Sequence, residues 1–166
     1  MTAVFPQLSI ASLFYVVALL LYVFIVRRLT AFSFVIVGVL LLDFLHVGYS
    51  IFLSSFSHDP TTKTFVFYAW YIGFAITDFL FVWALAAWCK NSGLKLDVAS
   101  KVILAIYAVL GFLQIFRLIE RVLVNSDLMS FIYSNGIPIL NFCIAAILFS
   151  FIAFSLVNNF RSQRLL

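Results

Sequence analysis

The sequence predicts an all-α integral membrane protein, a bundle of five transmembrane helices with the amino terminus outside and the carboxyl terminus in the cytoplasm. Three observations predict it. Hydrophobic residues make up 66% of the chain and charged residues only 10%, and the mean hydropathy of +1.21 exceeds what a domain with a water-facing polar surface would show. The apolar residues gather into five runs, each near or above the ~20 residues that cross a ~30 Å hydrocarbon core. The basic residues sit almost wholly on one side of those runs.

The runs are residues 8–26, 31–56, 64–89, 102–124 and 137–157. No positively charged side chain precedes the first run, which is too long for the apolar part of a secretory signal. Arg27-Arg28 follow it instead of a small-residue cleavage site, so it reads as a retained helix with its amino end translocated. The second and third runs exceed the core thickness and are expected to tilt. Between the runs lie residues 27–30, 57–63, 90–101 and 125–136, with turn formers such as Ser57-His58-Asp59-Pro60 and Asn91-Ser92-Gly93. None of these connections can hold a folded module, so residues 1–166 read as a single polytopic membrane domain. The last connection contains Leu128, Met129, Phe131, Ile132 and Tyr133, and is expected to lie in the interface or fold over the mouth of the bundle. Phe65, Phe67, Tyr68, Trp70 and Tyr71 crowd one end of the third run while Trp83 and Trp88 lie towards the other, as aromatic belts do.

With the amino terminus outside, Arg27, Arg28, Lys90, Lys95, Lys101, Arg161 and Arg164 all fall on the cytoplasmic side, leaving Lys63 and Arg121 opposite. The formal charge of +4 would suggest a nucleic-acid partner in a soluble protein. Here the positive charges flank apolar runs, so the expected partner is the lipid bilayer, with a homo-oligomer or a larger membrane complex as the assembly. Which membrane is not encoded. Cys89 and Cys143 fall near opposite ends of their runs, too far apart for a disulfide, and read as small apolar packing residues.

Six ionisable side chains interrupt the runs: Asp43, His46, Asp78, Arg117, Glu120 and Arg121. A charge at the bilayer centre costs roughly 2.5–3.5 kcal/mol even on the lenient insertion scale, so such residues face protein or water. At ~1.5 Å per residue from the cytoplasmic ends, Asp43 and Asp78 lie ~17–18 Å deep and His46 and Arg117 ~23 Å deep. These four form the candidate polar site. Asp43, His46 and Ser50 share one helical face, and Tyr71 and Asp78 another. Gln114, Arg117 and Arg121 form a stripe on the fourth run, with Glu120 beside Arg117. Ser50, Tyr71, Gln114, Glu120 and Arg121 are therefore the second rank of the site. Two readings compete. In one, a buried network fixes helix register, with Arg117 answering both aspartates and Glu120 balancing Arg121. In the other, the layer lines a hydrated cavity, with His46 as the group most able to change charge near neutral pH. His58, beside Asp59-Pro60 in a connection, reads as solvated.

A short repeat bears on the second reading. Asp43-Phe44-Leu45-His46-Val47 and Asp78-Phe79-Leu80-Phe81-Val82 agree at four of five positions on runs of opposite direction, and inverted repeats meeting at the midplane build many transporter sites. Enzymatic alternatives lack their residues. Intramembrane aspartyl proteases carry Tyr-Asp and Gly-x-Gly-Asp contexts, whereas here the contexts are Leu42-Asp43 and Thr77-Asp78. No lysine lies mid-run for a retinal Schiff base, no second histidine for bis-histidine haem and no Cys-x-x-Cys for thiol redox work. No catalytic set, cofactor or metal ligation is expected. The element Ile115-Phe116-Arg117-Leu118-Ile119-Glu120 resembles the Phe-Arg-x-x-Glu element in one span of the fungal lipid-translocating exporter family. It covers a small part of a chain much shorter than those seven-span proteins and carries no membership. Arg and Glu three apart also neutralise each other on any helix. The expected function is that of a small transport or conductance protein with a midplane polar site. An accessory subunit of a larger membrane complex is the alternative, and a membrane sensor or receptor is the third.

Overall fold

A chain in hydrocarbon must satisfy its own peptide groups, and the helix does so within one segment. The computed structural model describes residues 10–27, 29–57, 59–124 and 127–163, and their regular structure is entirely helical. Helix α1 is Ile10–Ile25, α2 Ala31–Phe56, α3 Lys63–Asn91, α4 Val98–Ile119 and α5 Ser130–Gln163, and a π-helical turn, Glu120–Val124, continues α4. Four segments are long and apolar enough to cross a membrane: Ala31–Phe56, Lys63–Asn91, Val98–Val124 and Ser130–Asn158. With 16 described residues, α1 is shorter. Leu8, where the first apolar run begins, and Arg28, His58, Asn125 and Arg164 lie outside the described residues.

The ends of the helices follow from local chemistry. Asp97 starts α4 by accepting hydrogen bonds from the Ser100 backbone N–H at 2.7 Å and from its hydroxyl at 2.9 Å. Gly93, at φ +66°, stops α3: its N–H donates to the Lys90 carbonyl, and the Leu94 N–H reaches back to Cys89. Both bonds satisfy carbonyls that the helix end orphans, and the left-handed residue between them is the one that suits glycine. Between α2 and α3, the Asp59 carboxylate accepts from the Thr61 N–H at 2.9 Å. The backbone and side-chain hydrogen bonds of Thr61 hold that carboxyl below the usual carboxylate range.

One expected connection is much shorter than its composition suggested. Residues 125–136 are expected to form a connection that lies in the interface or folds over the mouth of the bundle, yet α5 begins at Ser130 and carries Pro138 inside it. Proline removes one intrahelical bond, that to the Ser134 carbonyl, and buried membrane helices tolerate such a loss where other groups re-satisfy the backbone. The early start is fixed from outside the helix, since the Glu120 carboxylate accepts the Met129 N–H at 2.7 Å. Phe131 and Ile132 are outward-facing first-turn residues of α5, while Tyr133 turns inward.

Each helix packs on its chain neighbour, α1 also meets α5, and α2 touches α4 across the ring so formed. Helices α2 and α3 are antiparallel: Phe34 faces Trp88 at one end with ring centroids 5.9 Å apart, and the Tyr49 hydroxyl donates to the Ala69 carbonyl at 2.7 Å at the other. The end bearing Arg27, Lys90, Lys95 and Lys101 is termed the basic end, and the end bearing residues 57–62 and the α4–α5 connection the turn end. The apolar core is not shared equally between them. Phe32, Val35, Ile36 and Val39 of α2, Ile103 of α4, and Ile144 and Leu148 of α5 fill the basic half, closed by the Phe32–Phe151 stack at 3.8 Å. Towards the turn end the apolar core stops near Leu42 and Leu110, and polar side chains replace it.

Candidate functional site

The polar half of the ring contains a cleft of about 470 Å³. Its floor is built where the apolar core ends. Asp43 of α2, Asp78 of α3 and Tyr107 of α4 lie near the middles of their helices. Higher up stand His46 and Ser50 of α2, Trp70 and Phe74 of α3, and Gln114 of α4. The remaining wall is a stripe of α5, Ser134, Ile137, Pro138 and Asn141, spaced as one helical face, with Tyr133 beside it. Every lining residue belongs to the turn-end half or to the floor, so the cleft runs from that end to mid-bundle.

The two aspartates are held differently. Asp78 is 1% exposed, and its Oδ1 has no hydrogen-bond partner. The nearest group able to carry positive charge is His46, whose Nε2 stands 3.7 Å from that oxygen. That ring nitrogen is closer to Thr77, at 2.8 Å from Oγ1, and the Thr77 hydroxyl lies within reach of the Phe74 carbonyl at 2.9 Å. One arrangement satisfies both contacts: Thr77 donates to the backbone and accepts from a histidine protonated at Nε2. Asp43 is half-buried; it receives the Ser12 hydroxyl from α1, and its Oδ2 is buried without a hydrogen-bond partner. A buried carboxylate oxygen without a donor forfeits its hydration, a cost a functional site carries and a register-fixing network avoids.

Arg117 does not answer these aspartates. It is 4% exposed and pairs instead with Glu120 and, at 2.9 Å, with Asp127, while Arg121 reaches Asp127 at 3.4 Å. The expected pairing of Glu120 with Arg121 is likewise replaced. The buried stripe of α4 runs Gln114, Arg117, Glu120, and in the π-helical turn that begins at Glu120 the Arg121 side chain is 42% exposed. This group therefore ties the end of α4 to the start of α5. It stands apart from the cleft lining, although Gln114, three residues before Arg117, belongs to both neighbourhoods.

The second-rank residues divide in the same way. Ser50 lines the cleft but spends its hydroxyl on the Val47 carbonyl at 2.8 Å. The Gln114 side-chain oxygen accepts from the Tyr133 hydroxyl at 2.8 Å, and Trp70 offers its indole N–H to the same hydroxyl at 3.4 Å. Tyr71 stands behind that wall, its ring 5.8 Å from Tyr133. In the short repeat, the aspartates and His46 line the cleft, while Phe81 lies edge-on to Tyr107 at 4.8 Å and outside the lining. Among the described residues no group of three or more His, Cys, Asp or Glu side chains could hold a metal ion.

The chain matches no family model, no curated protein and no solved structure. Its chemistry must be argued from the cleft.

Sequence reasoning missed Trp70, Tyr107, Tyr133 and Asn141 as lining residues, and Asp127 as the partner of Arg117. Trp70 reads as a belt residue because an aromatic near a span end has two uses, and only its neighbour on α5 distinguishes them. Tyr133, Ile137 and Asn141 recur every four residues and could have been found as a stripe, had residues 130–136 been read as helix.

Proposed function

We propose that this protein is a small membrane transport protein whose solute site is the cleft over Asp43 and Asp78, with His46 modulating it. The observation that carries the reading is the pair of buried carboxylate oxygens without hydrogen-bond partners at the floor of a cleft reaching mid-bundle. A purely structural layer would pair them. The packed basic half argues for passage by rearrangement over open conductance, since the lining stops where the apolar core begins. On this reading residues 1–166 form one membrane unit of five spans, amino terminus outside and carboxyl terminus cytoplasmic, and the cleft faces outward.

The accessory-subunit reading draws on a different observation. Arg117, Glu120, Asp127 and Arg121 are paired among themselves, so the charges at the α4–α5 junction are accounted for by architecture. Flux separates the two. Asp43→Asn and Asp78→Asn keep side-chain shape and remove charge. In proteoliposomes the wild-type protein should carry solute or protons, and the double variant should insert normally yet lose that flux. A wild-type protein that moves nothing in a broad screen of solutes, ions and protons leaves the subunit reading in its place.

A further inference from the structure

The chemistry of the cleft limits what it can accept. Among the described residues the lining contains two carboxylates and no lysine or arginine, so its field favours a positive occupant. Asp78 adds an observation independent of that acidic pair: it is 1% exposed, it lines the cleft, and its Oδ1 lacks a hydrogen-bond donor although His46 Nε2 lies 3.7 Å away. That histidine nitrogen is committed to Thr77 at 2.8 Å. A donor brought by the occupant would complete Asp78.

Size and walls narrow the class. Among the described residues no group of three or more His, Cys, Asp or Glu could hold a metal ion, and competition by sodium separates a bare cation from an organic one. At about 470 Å³ the cleft has the dimensions of an organic-ligand site. Trp70, Phe74, Tyr107 and Tyr133 supply aromatic surface around the carboxylates. Aromatic faces attract cations, and most strongly where water is excluded. An anion would meet both carboxylates, and a neutral solute would leave Asp78 without a counter-charge.

We propose that the cleft binds an organic ammonium ion, with Asp78 and Asp43 as counter-charges and Trp70, Phe74, Tyr107 and Tyr133 around its carbon body. This rests on the reading of the cleft as a solute site and names the class of solute. The ammonium N–H groups supply the donors that Asp78 Oδ1 and Asp43 Oδ2 lack; a quaternary centre brings the charge without the donor and should bind less tightly than a primary ammonium of the same body. The Gln114–Tyr133–Trp70 hydrogen-bond chain holds the upper wall in place.

The test uses full-length wild-type protein in phosphatidylcholine nanodiscs, with empty nanodiscs as the baseline for partitioning. Calorimetric titrations compare methylammonium, 2-phenylethylamine and benzyltrimethylammonium with 2-phenylethanol and phenylacetate, and repeat the binding members in sodium chloride. At least one aryl ammonium should bind saturably, with 2-phenylethanol weaker by about tenfold or more, as for loss of a charged hydrogen bond, and phenylacetate not binding. In Asp78→Asn the ammonium should lose about tenfold or more, and the gap between ammonium and alcohol affinity should narrow. Asp43→Asn serves as the second variant, and circular dichroism checks that both retain helix. Equal affinity across the series, preference for phenylacetate, no saturable ammonium binding, or full displacement by millimolar sodium would overturn the proposal. Ammonium binding without any flux leaves the ligand class standing and removes transport. Aspartate-dependent flux of a neutral or anionic solute does the reverse.

Discussion

Arg117 and Glu120 sit together at the end of α4 with 4% and 7% of their surface exposed. Replacing Arg117 with Met would strip the Glu120 carboxylate of its guanidinium. Breaking a buried pair by removing one member costs about 3–5 kcal/mol, and the lower figure is expected because the Asp127 side chain is 68% exposed and rehydrates. The double variant Arg117→Met/Glu120→Gln should recover more than half of that loss in reversible unfolding from detergent, since it removes both charges and keeps an amide oxygen to accept the Met129 N–H. A loss that merely adds would show that the pair is not coupled. Asp59 offers a milder test in the connection between α2 and α3. Its carboxyl is held below the usual range by Thr61, so the folded state favours the ionised form. That preference is fully present above the unfolded carboxylate pKa of about 3.9 and is lost as pH falls through the lower folded value. Thr61→Val, which removes the hydroxyl and keeps the backbone N–H, should raise the Asp59 midpoint part of the way in an NMR titration; an unchanged midpoint would remove the hydroxyl as a contributor and leave the backbone N–H as the cause.

At the scale of helices, α2 and α3 meet through a fitted pair. The ring of Tyr49 occupies the space a Cβ at Gly73 would need, and its hydroxyl donates to Ala69 one turn away. Gly73→Ala must therefore displace Tyr49, which also lies edge-on to the cleft residue Phe74 at 5.4 Å. Overpacking of this kind costs about 1–3 kcal/mol. Gly48 on α2 is the control, because nothing lies within 4 Å of a Cβ built there. Gly48→Ala should be neutral or stabilising by up to about 1 kcal/mol through helix propensity. Unfolding midpoints of the two variants that move together would contradict this packing. The spacing of Gly73 and Thr77 signals a close helix contact, but not which side chain fills the notch. Pro138 shows the opposite failure. Its local chemistry argues for a boundary, and the boundary moved because Glu120, distant in the fold's logic but near in space, caps the start of α5.

For the whole molecule, the testable statement is orientation. Reporter fusions after Arg28, Lys95 and Arg164 should all read cytoplasmic, because the flanking lysines and arginines resist translocation. A single external reading would overturn the proposed five-span orientation, and with it the proposed side on which the cleft opens.

What the sequence determined by itself is helix, apolar surface and the identity of the costly residues. Hydropathy and period are local properties, and the burial of a charge carries its warning in one letter. Asp43, His46 and Asp78 are legible as ionisable residues in apolar runs, Ser50 and Gln114 by sharing a helical face with such residues, and all five line the cleft. Partnership was left to the tertiary structure. Depth alone places Arg117 beside the aspartates, yet its helix turns it to Glu120 three residues on and to Asp127 in the connection before α5. A charge needs some partner within a few ångströms, and which partner stands there depends on how five helices turn about their axes, a property no single run contains.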